Sequence, residues 1–152
     1  MKIILATDGS EHSKVMVKQF AERTFAPNTE VRIIAAYESA MYMMYAAPMG
    51  GLNEYYTDAD KHSIKLAEDA TEDAATTLRK KNPELSISTA AIEGSPKSVI
   101  LDEAEKFGAD LIVVGSHGHG AVAGFLLGSV SQSVALHAKC SVEIVRNEKT
   151  KQ

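Results

Sequence analysis

Short apolar runs alternate along the chain with segments of helical spacing. Val17, Phe20 and Ala21 recur at the three- and four-residue intervals of one helix face, between the first two runs. The runs around Ile4 and Ile112 are apolar on consecutive residues, which is typical of strands covered on both faces. The pattern predicts one doubly wound α/β domain, a five-stranded parallel sheet with helices on both faces. The predicted strands are residues 2–7, 31–37, 85–92, 111–115 and 141–145.

Helix boundary signals agree with this alternation. Ser95 precedes Pro96, and a proline suits the first position of a helix. Gly108 can end the same helix just before the next strand. Ser10 can cap the first helix, and Ser129 can cap the last.

Composition narrows the class of protein. The 152 residues are 45% hydrophobic and 24% charged, which is ordinary for one globular domain. A formal charge of −4 and the lack of a basic stripe argue against nucleic acid binding. No stretch reaches the ~18 apolar residues of a membrane helix, and the first apolar run is too short for a signal peptide. With Cys140 as its only cysteine, the chain is expected to be cytoplasmic, with one domain at residues 1–147 and a flexible tail at 148–152.

The segment after the fourth predicted strand has the glycine content of a phosphate loop. Gly115, Gly118 and Gly128 precede Ser129, where a helical pattern begins. Glycines there let backbone N–H groups approach a phosphate without a side chain in the way. A Walker A loop is excluded because no lysine follows the second glycine, and a dinucleotide fingerprint is excluded because Gly124 comes one residue late.

A second polar segment should lie beside this loop. In an open parallel sheet, ligands bind at the carboxyl ends of the strands where the winding reverses. The first and fourth strands are the predicted central pair, so Ala6, Thr7 and Asp8 should meet Gly115 and its neighbours. Two separated motifs then form one nucleotide site.

The glycine spacing resembles the ATP-binding signature of the universal stress protein family, Gly-x2-Gly-x9-Gly-Ser/Thr. The resemblance extends over the chain, from Asp8-Gly9-Ser10 through Gly94-Ser95-Pro96 to the strand after Cys140. It implies a Rossmann-like fold of the adenine nucleotide alpha hydrolase type and a dimeric stress-response regulator or sensor that binds ATP with Mg2+. It also implies a homodimer formed through the last strand, between Val142 and Val145.

Twelve residues are the predicted nucleotide site. Asp8 is expected beside the nucleoside, although it could instead cap the first helix, and the small Ala36 would leave room for adenine. Ser129 and Ser131 could contact phosphate or only cap a helix. The site residues are Ala6, Thr7, Asp8, Ala36, Gly115, Ser116, His117, Gly118, Gly128, Ser129, Val130 and Ser131.

The histidines and the long loop point less clearly to one function. His117 could contact phosphate, whereas His119 is expected to be exposed, and no metal site is predicted because the pair has no carboxylate or cysteine nearby in sequence. The segment between Glu38 and Thr57 is rich in methionine and tyrosine. It could bind a protein partner or fold back as a satellite core, and the following helix is predicted at about residues 58–81.

Catalysis has weaker support than binding. Residues 115–131 contain no lysine or arginine to stabilise a transferring phosphoryl group. The favoured hypothesis is therefore an ATP-binding regulator with at most slow ATP hydrolysis. The alternatives are a nucleotide-hydrolysing or adenylate-transferring enzyme of the same fold, and a partner-binding module without nucleotide.

Overall fold

The computed structural model describes residues 1–40, 53–119 and 127–146. Strands and helices alternate in them as the sequence pattern predicts, and the strand limits agree with the predicted ones within one residue. The strands are β1 (Lys2–Ala6), β2 (Glu30–Tyr37), β3 (Ser86–Glu93), β4 (Leu111–Gly115) and β5 (Ser141–Val145). The helices are α1 (Glu11–Ala21), α2 (Asn53–Lys81), α3 (Pro96–Phe107) and α4 (Ser129–His137).

The five strands form one parallel sheet in the order β3-β2-β1-β4-β5. Lys2 of β1 pairs with Glu30 of β2, and Ile3 of β1 pairs with Leu111 of β4. The chain thus winds outward from β1 to β3, returns to β4 on the other side of β1, and ends at β5. The predicted central pair is confirmed, and the winding reverses between β1 and β4, where α/β sheets bind ligands.

Two apolar layers hold the helices on opposite faces of the sheet. Phe20 of α1 and Leu78 of α2 are fully buried in one layer with Leu5 of β1. Ile100 of α3 and Val134 of α4 are buried in the other layer, where they pack with the central strands. Burial of each such side chain contributes about 1.5–3 kcal/mol, so both layers are needed for stability.

Three of the four helix-boundary predictions are confirmed, and one is wrong. The Ser10 side chain accepts a hydrogen bond from the Ser13 N–H at the start of α1. Ser95 precedes Pro96 at the start of α3, which Gly108 ends in the left-handed conformation at φ 66°. Ser129, however, is the first helical residue of α4, and Gly128 occupies the capping position with extended backbone. A glycine there leaves the end of the helix open to a ligand.

The predicted start of α2 is also wrong. The helix begins at Asn53 rather than near residue 58, so the end of the predicted loop, up to Thr57, is helical. Turn-forming residues around Gly50 favoured a longer loop, but the polar residues after Leu52 continue the helical pattern. The methionine-rich residues 41–52, the segment 120–126 and the predicted tail lie outside the described residues. Within the described ranges, no helix is long and apolar enough to cross a membrane.

Candidate functional site

A cavity of about 1160 Å³ opens at the carboxyl edge of the sheet, where β1 and β4 end. Drug-sized ligands occupy cavities of about 300–1,000 Å³, so this one has room for a nucleotide. All twelve predicted site residues, from Ala6 to Ser131, line it. Residues more than 120 positions apart are thus brought to one surface by the parallel sheet.

The two glycine turns are joined through Ser116. The Gly128 N–H donates to the Ser116 carbonyl oxygen at 2.7 Å, and the Ser131 hydroxyl donates to the same oxygen at 3.1 Å. The Ser116 N–H donates to the Val145 carbonyl oxygen at 2.8 Å, which ties the loop to β5. The hydroxyl of Ser131, predicted as a phosphate contact, is therefore engaged in holding the loop.

Close approach explains why glycine stands at two of these positions. A Cβ on Gly128 would lie 3.2 Å from the Ser116 carbonyl oxygen. A Cβ on Gly118 would lie 2.5 Å from Oδ2 of Asp8, a separation that real Cβ atoms do not tolerate. The missing side chains keep the backbone of both turns open to the cavity, as a phosphate group requires.

The N-terminus of α4 provides donors for an anion. The first intrahelical bond is donated by Gln132 to the Gly128 carbonyl at 3.0 Å. The N–H groups of Ser129, Val130 and Ser131 therefore have no partner inside the helix, and the helix dipole is positive at this end. Ser129 is exposed and lines the cavity. This end of the cavity suits phosphate.

Asp8 links the two strand ends. Its Oδ1 accepts a hydrogen bond from the Ser10 N–H at 3.0 Å, and its Oδ2 accepts one from the His119 N–H at 3.1 Å. Partial burial acts to raise the pKa of Asp8, but hydrogen bonds from Ser10 and Ser13 and the charge of His119 outweigh it. The pKa of Asp8 is therefore lowered, and the residue is an anion at neutral pH that can accept hydrogen bonds from a ligand.

Hydroxyl groups behind Asp8 fix the turn after β1. The Thr7 hydroxyl donates to Oγ of Ser13 at 3.1 Å and accepts from the Gly9 N–H at 3.3 Å. The Ser13 hydroxyl in turn donates to the Ser10 carbonyl at 3.0 Å. Thr7, a predicted site residue, thus satisfies local polar groups behind the cavity. Ser13 was missed as a cavity residue, although its place three residues after the helix cap was the available signal.

Apolar side chains also line the cavity. Ala36 of β2, Pro96 and Ile100 of α3 and Val114 of β4 are among them. A small side chain at Ala36 leaves space beside the sheet for a flat ring. Apolar lining together with exposed backbone amides suits the two parts of a nucleoside phosphate.

Three histidines lie around the phosphate end. The His117 Nδ1 is 3.0 Å from the Ser116 Oγ, and the His12 ring of α1 lies 5.9 Å from the His117 ring. His119 is exposed, as predicted, but its ring Nε2 is 2.7 Å from the Asp8 carbonyl oxygen. Sequence reasoning missed the His12 and His119 contacts, because neither depends on a motif. The first depends on how α1 faces the loop after β4, and the second on how the turn after β1 meets that loop.

Comparison with known proteins gives the family of the chain. The model of the Universal stress protein family matches residues 1–146. A protein of Staphylococcus aureus (strain USA300), named as a universal stress protein, is 33% identical over 150 residues, which cover 96% of this chain and 84% of that protein.

Solved structures share the fold. The universal stress protein UspA from Lactobacillus plantarum superposes with a TM-score of 0.77 at 21% identity, over 96% of this chain and 97% of that one. A universal stress protein in complex with cAMP superposes with a TM-score of 0.64 at 26% identity, over 96% of both chains.

Proposed function

The chain belongs to the universal stress protein family, and from that premise we propose that it binds ATP, with Mg2+, in the cavity between β1 and β4. One observation carries the proposal: all twelve residues expected to contact nucleotide line a single cavity that also has apolar lining and an open helix N-terminus. The relative of known structure that is described with cAMP supports an adenine nucleotide as the ligand.

The chemistry of the lining residues supports a place for each part of ATP. Adenine would lie against the apolar lining, near Ala36. The ribose would reach Asp8, whose carboxylate accepts hydrogen bonds from hydroxyl groups. The phosphates would bind the N–H groups of Ser129 and Val130 and the backbone beside Gly118. Ser116 and His117 lie at the same end.

Mg2+ would enter on the phosphate oxygens. The ion would offset phosphate charge in a loop that has no lysine or arginine. No protein ligand is assigned to it, since Mg2+ in nucleotide sites keeps several waters and uses substrate phosphates.

The proposed role is that of a dimeric stress-response regulator or sensor in the cytoplasm, with at most slow hydrolysis. β5 is an edge strand, so its outer backbone groups have no neighbouring strand within the described sheet. An unpaired edge can be extended by a second copy of the same strand, from Val142 to Val145, in a twofold arrangement.

Co-purification tests the nucleotide proposal most directly. The protein would be isolated without added nucleotide, analysed by native mass spectrometry, and titrated with ATP and Mg2+ by calorimetry. We expect adenine nucleotide in the isolated protein and one ATP per chain in the titration. A variant with Gly118→Val and Gly128→Val should stay folded and lose binding, because branched side chains would fill the phosphate end. Equal ATP affinity in that folded variant contradicts the placement.

A further inference from the structure

The charges around the cavity oppose an anionic ligand. Among the described residues, its charged side chains other than histidine comprise four carboxylates and two lysines. One of these lysines, Lys14, is bonded to Glu11 at 2.9 Å. A chain of phosphates therefore enters a cavity whose fixed side-chain charge is negative. These residues are Asp8, Glu38, Asp69, Asp73, Lys14 and Lys18.

Both lysines reach the cavity from α1 rather than from the loop that would hold phosphate. α1 starts at the carboxyl edge of the sheet and runs back along it, so each residue after Glu11 lies about 1.5 Å farther from that edge. Lys18 is two turns into the helix. In the loop itself, His117 and His119 line the cavity, and the His12 ring of α1 lies 5.9 Å from the His117 ring.

We propose that His12, His117 and His119 supply the missing positive charge by protonation, so that binding of a phosphate chain takes up protons and tightens from about pH 8 to about pH 6. The inference rests on the proposed nucleotide site and adds a regulation of it. The phosphate chain is the recognised group, so the dependence should be strong for ATP, weaker for AMP, and absent for adenosine.

The geometry couples protonation to anion binding. The His12 and His117 rings are 5.9 Å apart, so two charges on the pair repel each other when no ligand is present. A phosphate beside His117 relieves that repulsion and favours the protonated rings. An opposite charge within ~4–6 Å favours the charged form of a group, so phosphate binding and proton uptake should strengthen each other.

His119 can accept a proton without losing its contact with Asp8. A carbonyl oxygen only accepts hydrogen bonds, so the Nε2 that lies 2.7 Å from it carries a hydrogen in the neutral ring as well. Protonation then takes place at Nδ1, which leaves the Asp8 contact intact and adds a charge at the mouth of the cavity. The tautomer thus follows from the partner atom.

The other charged groups near the histidines do not produce the same pH dependence. Glu11 and Lys14 of α1 form an ion pair, in which the pKa of Glu11 is lowered and that of Lys14 is raised. The pKa of Asp8 is lowered as well, so this carboxylate stays ionised between pH 6 and 8. Asp69 and Asp73 face the cavity from α2. Carboxylates and lysines ordinarily titrate outside this window, so proton uptake within it points to histidine or to the nucleotide itself.

Calorimetry at pH 6, 7 and 8, in buffers of different ionisation enthalpy, measures both affinity and proton uptake. ATP, AMP and adenosine are the probes, each with and without Mg2+. We expect ATP affinity to rise about tenfold or more from pH 8 to pH 6, with net uptake of protons. The double variant His12→Gln and His119→Gln should lose most of this rise in ATP affinity. The part of the rise that remains would come from protonation of His117 and of the ATP phosphates.

The control is His137→Gln. His137 is exposed at the far end of α4, where its Nδ1 contacts the Ser133 carbonyl at 2.8 Å. That variant should keep the pH dependence of the native chain. Circular dichroism of each variant checks the fold, and the difference in proton uptake between the native chain and the double variant separates the histidines from the nucleotide.

The outcomes separate the two proposals. ATP binding with the same affinity at pH 6 and pH 8 and without proton uptake overturns this inference and leaves the nucleotide site standing. An unchanged rise in the folded double variant also overturns it. Lack of binding by ATP, AMP and adenosine at every pH overturns the nucleotide site and this inference together.

Discussion

His119 is hydrogen-bonded twice to Asp8, a residue 111 positions earlier in the chain. Its backbone N–H donates to the Asp8 carboxylate at 3.1 Å, and its ring Nε2 donates to the Asp8 carbonyl at 2.7 Å. The contact joins the turn after β1 to the loop after β4 across the mouth of the cavity. Asp8 is thereby held in place before any ligand arrives, which reduces the entropy that binding has to offset.

We expect Gly118→Ala to weaken ATP binding by way of Asp8. The added Cβ would lie 2.5 Å from Asp8 Oδ2, so the carboxylate must move away from the His119 N–H. ATP affinity should fall roughly tenfold or more, the loss typical of one hydrogen bond to a charged group.

A double-mutant cycle with Asp8→Ala tests that route. In the Asp8→Ala background the clash is gone, so the alanine at position 118 should have little further effect on affinity. If the two losses of ATP binding free energy simply add, the side chain at position 118 acts on the ligand directly and the proposed coupling to Asp8 is contradicted.

Asp8→Asn should destabilise the protein at neutral pH and much less in acid. The pKa of Asp8 is lowered from its ordinary value of 3.8. The ionised group therefore contributes stability above that value, and the contribution is lost as pH falls through the lower folded pKa. We expect a loss of roughly 1 kcal/mol at pH 7, allowing for the solvent exposure of Asp8.

Urea unfolding at pH 7 and at pH 3 measures the difference in the free energy of unfolding between the native chain and the Asp8→Asn variant. Asp102→Asn, at an exposed carboxylate of α3, is the matched control and should leave the free energy of unfolding nearly unchanged. An equal effect of Asp8→Asn at both pH values would contradict the stabilising role of the ionised Asp8 carboxylate.

Arg23 and Glu143 should stabilise the end of the sheet as a pair. The Arg23 guanidinium donates through both terminal nitrogens to the Glu143 carboxylate and so joins the end of α1 to β5. Each side chain is about one-third exposed, and the hydrogen bond from Arg23 lowers the pKa of Glu143. Arg23→Gln should cost roughly 1 kcal/mol at pH 7 and less below the ordinary Glu143 pKa of 4.5.

Thermal unfolding across pH 3–7 checks this prediction. Lys14→Gln, which breaks an exposed ion pair with Glu11, is the comparison and should have a smaller effect. Equal losses of thermal stability for both variants would show that the contact between Arg23 and Glu143 stabilises the protein no more than an exposed ion pair does.

Proline at Val142 should separate the proposed dimer without breaking the sheet. The Val145 carbonyl accepts from the N–H of Ser116, the residue after β4, so Val145 faces β4. Backbone groups alternate along a strand, so Glu143 faces β4 as well. The N–H of Val142 therefore points to the open edge, and proline there removes an outward donor only.

Sedimentation of Val142→Pro against Val142→Ala measures the effect. We expect a dimer for the native chain and for the alanine variant, and a monomer for the proline variant. A native monomer at micromolar concentration is incompatible with the proposed dimer.

Hydrolysis of ATP, if the protein has any, should be slow, below about one event per minute, against about 1–100 s⁻¹ for kinases. Residues 115–131 hold no lysine or arginine, and groups that bind ground and transition states equally do not accelerate chemistry. His117→Ala should lower any residual rate with little loss of affinity. Sustained turnover of several per second that Asp8→Ala or His117→Ala abolishes would identify an enzyme.

The sequence by itself determined the α/β class, the central pair of strands and twelve of the residues that line the cavity. These follow from local rules: consecutive apolar residues at Ile4 and Ile112 require cover on both faces, and glycines at 115, 118 and 128 keep backbone accessible. The parallel sheet then brings the strand ends together without further information, because all carboxyl ends share one edge.

Tertiary structure decided which atoms those residues contact. The Ser131 hydroxyl donates to the Ser116 carbonyl, and Gly128 rather than Ser129 occupies the capping position of α4, where its N–H donates to the same oxygen. His12 lies beside His117 through the packing of α1 against the loop after β4, and His119 contacts Asp8 through the approach of the turn after β1 to that loop. Such contacts depend on distances between residues far apart in the chain, and no local pattern of hydrophobic and polar positions encodes them.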